Sequence, residues 1–173
     1  MTINIKELYG SNWQSQAERY EKIRDGFRET FGSDVGAEFF SAPGRTEIGG
    51  NHTDHNHGRV LAGSIDLDIV GLAKKTDATV VRLHSVEYPR TDTVELSDLA
   101  PRRETSGSQA LIRGICARCK ELGYKVGGFD CYTQTRVLKG SGLSSSAAFE
   151  ILVVTIVNHL FNDGAIDPIT AAK

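Results

Sequence analysis

Apolar residues recur at helical spacing in three parts of the chain. The first set predicts a helix that ends at Gly32, and its members lie three or four positions apart: Ala17, Tyr20, Ile23, Phe27 and Phe31. The same kind of spacing predicts a helix over 108–122 that ends at Gly123. A third, strongly apolar helix is predicted over 144–161.

Runs of β-branched and aromatic residues predict strands between these helices. They cover 38–42, 60–61, 65–73, 79–83, 93–96 and 129–135. Pro43 and Gly44 are expected to end the first strand, and 45–58 is expected to be a polar loop. Within 65–73, apolar residues alternate with Asp66 and Asp68. Because strands cluster early and helices are interspersed, we expect an α+β fold in one domain, with a mixed β-sheet packed against helices.

Composition limits the classes of partner and the cellular location that we expect for the protein. The 173 residues carry a formal net charge of −2, which argues against nucleic acid or an anionic membrane as a partner. No stretch approaches the roughly 20 apolar residues of a membrane span, and the polar start lacks the features of a signal peptide, so a cytoplasmic location is expected. Cys116 and Cys119 have metal-ligand spacing, but no second pair accompanies them. We therefore expect reduced cysteines rather than a structural zinc site.

A glycine- and serine-rich turn joins the strand over 129–135 to the last predicted helix. Gly140 and Gly142 give the backbone unusual freedom, and the serines at 144–146 are expected in the first helical turn. Backbone N–H groups there lack helical partners and suit the phosphates of a nucleotide. Three consecutive serines are poor helix formers unless something uses them. The alternative is an ordinary connection with a serine cap.

The polar stretch over 43–58 carries side chains that bind hydroxyl groups. Asparagine and neutral histidine donate and accept hydrogen bonds, and an aspartate accepts from two hydroxyls at once. Arg45 adds a permanent cation suited to phosphoryl oxygens. Two alternatives remain for this stretch. It is a solvated loop, or it is a metal site built from His52, Asp54, His55 and His57.

Both regions together resemble the GHMP kinases, and within them the galactokinases. The polar stretch is similar to the signature G-R-x-N-L-I-G-E-H-T-D-Y-N-x-G-x-V-L. Its matching residues are Gly44, Arg45, Ile48, Gly50, His52, Thr53, Asp54, Asn56, Gly58, Val60 and Leu61. The turn over 140–148 is similar to the phosphate motif G-x-G-L-S-S-S-A-S/A. The resemblance implies the ribosomal protein S5 domain 2-like fold of the family's N-terminal lobe.

The resemblance also implies roles for individual residues. Arg45 corresponds to the family's catalytic arginine, which stabilises the transition state, and Ser146 to a serine that helps to hold Mg²⁺. The implied sugar-binding residues are Asn51, His52, Thr53 and Asp54. The implied ATP contacts are Ser85, Gly140, Ser141, Gly142, Leu143, Ser144, Ser145 and Ser146. The implied reaction transfers phosphate from ATP to the anomeric hydroxyl of a sugar, with galactose the best candidate.

The chain also departs from the family pattern. Asn51 stands where the family has a sugar-binding Glu, and Glu47 stands where it has Asn. His55 replaces a Tyr, and the stretch 108–111 replaces an aromatic W-x-N-Y segment that would support the adenine.

Galactokinases are more than twice as long as this chain, and the segment that carries their catalytic Asp has no counterpart in it. The resemblance therefore implies an N-terminal sugar- and ATP-binding lobe that is inactive alone and open to self-association through its inter-lobe face. The other hypotheses are a non-catalytic sensor of sugar and ATP and a metal-dependent hydrolase that uses the histidine cluster.

Overall fold

A computed structural model describes residues 4–50, 58–101 and 107–172. Within these ranges one mixed sheet of five strands runs in the order β1-β2-β5-β3-β4. The strands are β1 (Glu38–Gly49), β2 (Leu61–Lys75), β3 (Val80–Ser85), β4 (Asp92–Glu95) and β5 (Phe129–Thr135). Neighbours are antiparallel except β3 and β5, which are parallel. The predicted α+β class with a mixed sheet is confirmed.

The helices surround this sheet. They are α1 (Ile5–Tyr9), α2 (Trp13–Phe31), α3 (Ser108–Glu121), α4 (Ser145–Asn162) and α5 (Pro168–Ala171), with a 3₁₀ turn at Gly10–Asn12 between the first two. As the sequence predicts, α2 ends at Gly32, whose φ of 91° is available to glycine at little cost. The short helices α1 and α5 were not predicted, because they have too few residues to show a helical period.

Helices cover both faces of the sheet. On one face, α2 packs Tyr20, Ile23 and Phe27 against Val70 and Leu72 of β2. On the other face, α3 and α4 build the larger core. This core includes Ile112, Leu152 and Ile156 from the helices and Val81, Leu83 and Cys131 from the strands. Among the described helices, α4 alone has the length and composition to cross a membrane, a test that the core helix of a soluble protein also passes.

The predicted end of the first strand at Pro43 and Gly44 is wrong, because β1 continues to Gly49. Pro43 lies in an edge strand, where a missing backbone N–H need not remove a hydrogen bond of the sheet. The pairing shifts at this point: Pro43 lies opposite Asp68, whereas Arg45 lies opposite Ser64. An irregularity of this kind lets the strand bend and continue. Because the continued β1 pairs with residues 61–64, β2 is one strand where two were predicted.

Candidate functional site

The turn between β5 and α4 depends on two glycines for its backbone conformation. Gly140 and Gly142 have φ angles of 79° and 75°, in the left-handed region that residues other than glycine rarely adopt. A Cβ at either position would meet no atom within 4 Å. The glycines are therefore needed for the path of the backbone, and the space beside them is open.

Ser144 precedes α4 instead of lying in its first turn, which corrects the expectation for this serine. Its φ of 58° and ψ of 48° place it in the left-handed region, and its side chain does not cap the helix. Ser145 and Ser146 do lie in the first turn, and Ser146 is exposed. The first helical bond runs from Ala148 N to Ser144 O, so the N–H groups of 145–147 have no acceptor within the helix. Together with the helix dipole, these groups favour an anion.

Arg45 is bonded to this turn by its backbone and by its side chain. Its backbone N–H donates to Leu143 O at 3.2 Å, and its Nε donates to Ser144 Oγ at 3.1 Å. Its Nη2 lies 3.9 Å from Glu47 Oε1, and the side chain remains 52% exposed. The structure thus brings together two motifs that lie 99 residues apart in the sequence.

Gly44 allows this close approach of β1 to the turn. A Cβ on Gly44 would lie 3.0 Å from Leu143 O, from Val137 Cγ1 and from Ile65 Cδ1. Contacts this short require the neighbouring atoms to give way by a few tenths of an ångström, and one of them is a backbone oxygen of the turn, so a side chain would shift the strand relative to the turn. The glycine of the signature is therefore needed for packing at this point.

Ser85 is the last residue of β3 and lies at the end of the sheet from which β5 leads into the turn. Parallel pairing sets Ser85 opposite Thr133, and the two hydroxyl oxygens are hydrogen-bonded at 2.8 Å. Val86 N donates to Thr133 O at 2.9 Å and extends this pairing. The hydroxyl of Ser85 is thus engaged by Thr133 at the end of the sheet from which β5 leads into the turn.

The implied sugar-binding residues Asn51, His52, Thr53 and Asp54 lie outside the described residues, as do His55 and His57 of the alternative metal site. The described residues on either side of this segment lie close together, since a Cβ on Gly50 would lie 2.1 Å from Arg59 O. Gly49, the last residue of β1, lies four strand residues beyond Arg45, which is about 13 Å along the strand.

The described part of the chain holds no group of three His, Cys, Asp or Glu residues suited to a metal ion. Cys116, Cys119 and Cys131 are free and buried. Burial raises the pKa of the Cys116 thiol to about 12, and the nearby Cys119 contributes to the rise. Burial also raises the pKa of Cys119. Because metals bind the thiolate, these protonated thiols are poor ligands.

An apolar groove of about 530 Å³ lies between α3 and α4. Leu111 and Ile115 of α3 face Ile151 and Val154 of α4 across it, and residues of α5 also line it. Arg45 and Ser144 belong to its wall, so the groove and the turn form one continuous surface.

Two family models match separate parts of the chain. The galactokinase galactose-binding signature matches residues 25–75, and the GHMP kinase N-terminal domain matches residues 110–172. The chain is 32% identical to the galactokinase of Clostridium tetani over 152 residues, which are 88% of this chain and 38% of that protein. It is 35% identical to the galactokinase of Streptococcus thermophilus over 144 residues, which are 82% of this chain and 37% of that protein. The chain thus spans less than two fifths of the length of these relatives.

Solved structures agree with these matches. The Lactococcus lactis galactokinase complexed with galactose superposes with a TM-score of 0.79 at 28% identity, over 88% of this chain and 40% of that one. The Methanococcus jannaschii mevalonate kinase superposes with a TM-score of 0.61 at 19% identity, over 73% of this chain and 41% of that one. The second likeness shows a shared fold alone.

Proposed function

Because the chain belongs to the GHMP kinase family and corresponds to the N-terminal part of its galactokinases, we propose that the whole protein is a sugar kinase. It transfers the γ-phosphoryl group of ATP to the anomeric hydroxyl of galactose and gives galactose 1-phosphate and ADP. Galactose is supported by the match to the galactose-binding signature and by a structural neighbour that is complexed with that sugar.

The contact between Arg45 and the turn carries this proposal. It sets a permanent cation beside Leu143 and Ser144, at the end of a helix whose free N–H groups favour anions. Phosphoryl transfer needs this combination, since catalysis depends on holding the phosphates and on neutralising charge as it develops.

The residues then take separate roles. The turn binds the phosphates through its backbone N–H groups, and Ser85 is proposed to contact the nucleotide. The segment that carries Asn51, His52, Thr53 and Asp54 is proposed to bind the sugar hydroxyls. Ser146 fits the Mg²⁺ that accompanies ATP, because its hydroxyl is exposed in the first helical turn. That ion supplies charge neutralisation at the phosphates when bound.

In the reaction, the sugar oxygen forms a bond to the γ-phosphorus while the bond to the bridging oxygen breaks. The hydroxyl proton leaves to a base, which we propose is an aspartate outside these 173 residues. Arg45 holds its charge beside the transferring group throughout. It therefore contributes most when negative charge spreads over the phosphoryl oxygens.

The test is phosphate transfer by the full-length protein with galactose and with glucose, followed as sugar phosphate by ³¹P NMR. We expect galactose 1-phosphate from the wild type and a fall in kcat of about 100-fold or more in Arg45→Ala. Arg28→Ala is the matched control, because Arg28 is an exposed arginine on α2 that pairs with Asp34 and should leave the rate unchanged. Binding of both ligands without transfer would favour the sensor. Stoichiometric zinc that is lost in His52→Ala would favour the hydrolase.

A further inference from the structure

A buried polar cluster lies under the strand that carries Arg45. We call it the Asp68 cluster, and it consists of Tyr9, Arg19, Ser41 and Asp68. Arg19 Nη1 donates to Asp68 Oδ1 at 2.6 Å, and Asp68 Oδ2 accepts from Tyr9 Oη at 2.6 Å and Ser41 Oγ at 2.7 Å. Arg19 and Asp68 are each only 7% exposed. The cluster therefore joins α1, α2, β1 and β2 at one carboxylate.

The same two residues also hold the backbone where β5 ends. Asp68 O accepts from Arg136 N at 2.9 Å and from Arg19 Nη2 at 3.2 Å. Arg19 Nη2 donates as well to Gln134 O at 2.7 Å. Arg136 is the first residue after β5, so these bonds fix the point at which the chain enters the turn.

The cluster sits at the irregularity of the sheet that sets the direction of β1. Asp68 lies opposite Pro43, and the pairing shifts before the next matched pair, which contains Arg45. Shifted pairings define the strand direction less firmly than a regular ladder does, because part of the ladder is lost. A charged, buried cluster with fixed donors supplies the missing definition at this position.

Packing alone does not require a charge at this place. α2 is already held by Ile23 and Phe27 against Val70 and Leu72, and replacing a buried ion pair with apolar residues is often neutral for stability. What directional hydrogen bonds add is a unique geometry. Burial opposes ionisation of Asp68, but bonds from Arg19, Tyr9 and Ser41 keep its pKa below the ordinary value, so the carboxylate remains charged.

We propose that Asp68, together with Arg19, is a positioning residue for the phosphate-binding turn and for Arg45. The pair fixes β1 at the point where its pairing shifts and fixes β5 where it enters the turn, and so sets the distance between Arg45 and the bound phosphates. The inference rests on the proposed function for the identity of the ligand. The geometry of the two chain segments can be measured without it.

The experiment compares Asp68→Asn with Asp130→Asn in the full-length protein. Asp130 is the matched control because it is 5% exposed, accepts two bonds from Arg82 and lies on the same sheet at the far end of β5. The first readout is the Kd of a non-hydrolysable Mg·ATP analogue by calorimetry. The second is amide hydrogen exchange at Arg45 and Arg136, whose N–H groups bond to Leu143 O and Asp68 O.

We expect Asp68→Asn to raise the Kd at least about tenfold and to accelerate exchange at both amides by a similar factor. Asp130→Asn should leave the Kd within about twofold and leave both amides protected, although it also destabilises the fold. If Asp68→Asn does not fold, Ser41→Ala decides the question. It removes one donor to Asp68 and should raise the Kd about threefold.

Equal affinities and equal exchange in Asp68→Asn and the wild type would overturn the proposal. Equal losses in the two aspartate variants would also overturn it, because the effect would then reflect general destabilisation. A wild type that binds no nucleotide refutes the proposed function instead. In that case exchange at Arg45 and Arg136 still decides whether Asp68 positions the two segments.

Discussion

Ser144 takes a backbone conformation that residues other than glycine rarely adopt. Its φ of 58° is unfavourable for serine by about 1 kcal/mol or more. The neighbouring contacts hold it there, because Arg45 bonds to Leu143 O and to Ser144 Oγ. Strain of this kind persists where the surrounding structure fixes the backbone. Here it turns the serine hydroxyl toward Arg45.

Gly142→Val tests whether the path of the turn serves the nucleotide. Valine at a φ of 75° is strained although nothing crowds it, so we expect a loss of about 1–2 kcal/mol in unfolding free energy. Affinity for Mg·ATP in the full-length protein should fall about tenfold or more, and sugar binding should change little. Gly36→Val is the control, since Gly36 has a φ of 78° and equally open space in a remote turn. Calorimetry that finds unchanged nucleotide binding in Gly142→Val would contradict the phosphate assignment.

Asp68 makes the unfolding free energy depend on pH, in a direction that follows from its pKa. Its folded pKa lies below the ordinary value, because hydrogen bonds from Arg19, Tyr9 and Ser41 outweigh the opposing effect of burial. Its contribution is therefore complete above the unfolded pKa of about 3.9, and it is lost as pH falls from there through the folded pKa. Asp68→Asn should lower the unfolding free energy by about 3 kcal/mol at neutral pH.

Denaturant titrations of the wild type and of Asp68→Asn at several pH values measure this difference in unfolding free energy. It should stay constant from neutral pH down to about pH 5 and shrink below about pH 4. A difference that grows on acidification would mean that the folded pKa of Asp68 lies above its unfolded value.

At the scale of the elements, the long periodic segments were predictable and the irregular ones were not. The helices over 17–31 and 108–122 were predictable because one face of each is apolar at every turn. Pro43 suggested a strand end, because nothing in the local sequence says that β1 is an edge strand. Asp68 alternates with apolar residues, yet it is 7% exposed and accepts a hydrogen bond from Arg19 of α2. Partners such as Arg19 lie 49 residues away, and no local pattern carries that information.

The candidate site shows the same division. The motifs predicted that the residues of the turn and Arg45 would serve one site, and the contact between Arg45 and the turn agrees with this. That Ser144 precedes α4 and bonds Arg45 could not be predicted, because it depends on how β1 passes the turn. Gly44 was part of the signature, but its reason is visible only where Leu143 O and Val137 crowd it.

Gly44→Ala tests the contact between β1 and the turn. The added methyl would lie 3.0 Å from a backbone oxygen, so we expect a loss of about 1–3 kcal/mol in unfolding free energy. Phosphate transfer by the full-length protein should fall with it, because Arg45 moves away from the turn. Gly114→Ala is the control: Gly114 lies in α3 with nothing near its Cβ position, so alanine should stabilise the helix by up to about 1 kcal/mol. Equal thermal stability of Gly44→Ala and the wild type would show that the strand does not press on the turn.

At the scale of the whole molecule, the groove between α3 and α4 leaves apolar surface open beside the site. Ile151 is 36% exposed there, and Leu111, Ile115 and Val154 line the same groove. The relatives that the chain matches are more than twice its length, so much of their sequence has no counterpart here. A groove of this kind favours contact with another apolar surface.

Residues 1–173 prepared alone are therefore expected to bind galactose or Mg·ATP weakly, with Kd values in the millimolar range, because the ligands stay open to water on one side. The same preparation should self-associate, since the groove offers apolar surface to a second copy. Ile151→Glu should lower the sedimentation-derived association constant. Val35→Glu should not, although Val35 is 78% exposed, because it lies between α2 and β1, away from the groove. Turnover of ATP and galactose by homogeneous residues 1–173 would show that these residues contain the base and a closed site, and would refute the division of the active site proposed above.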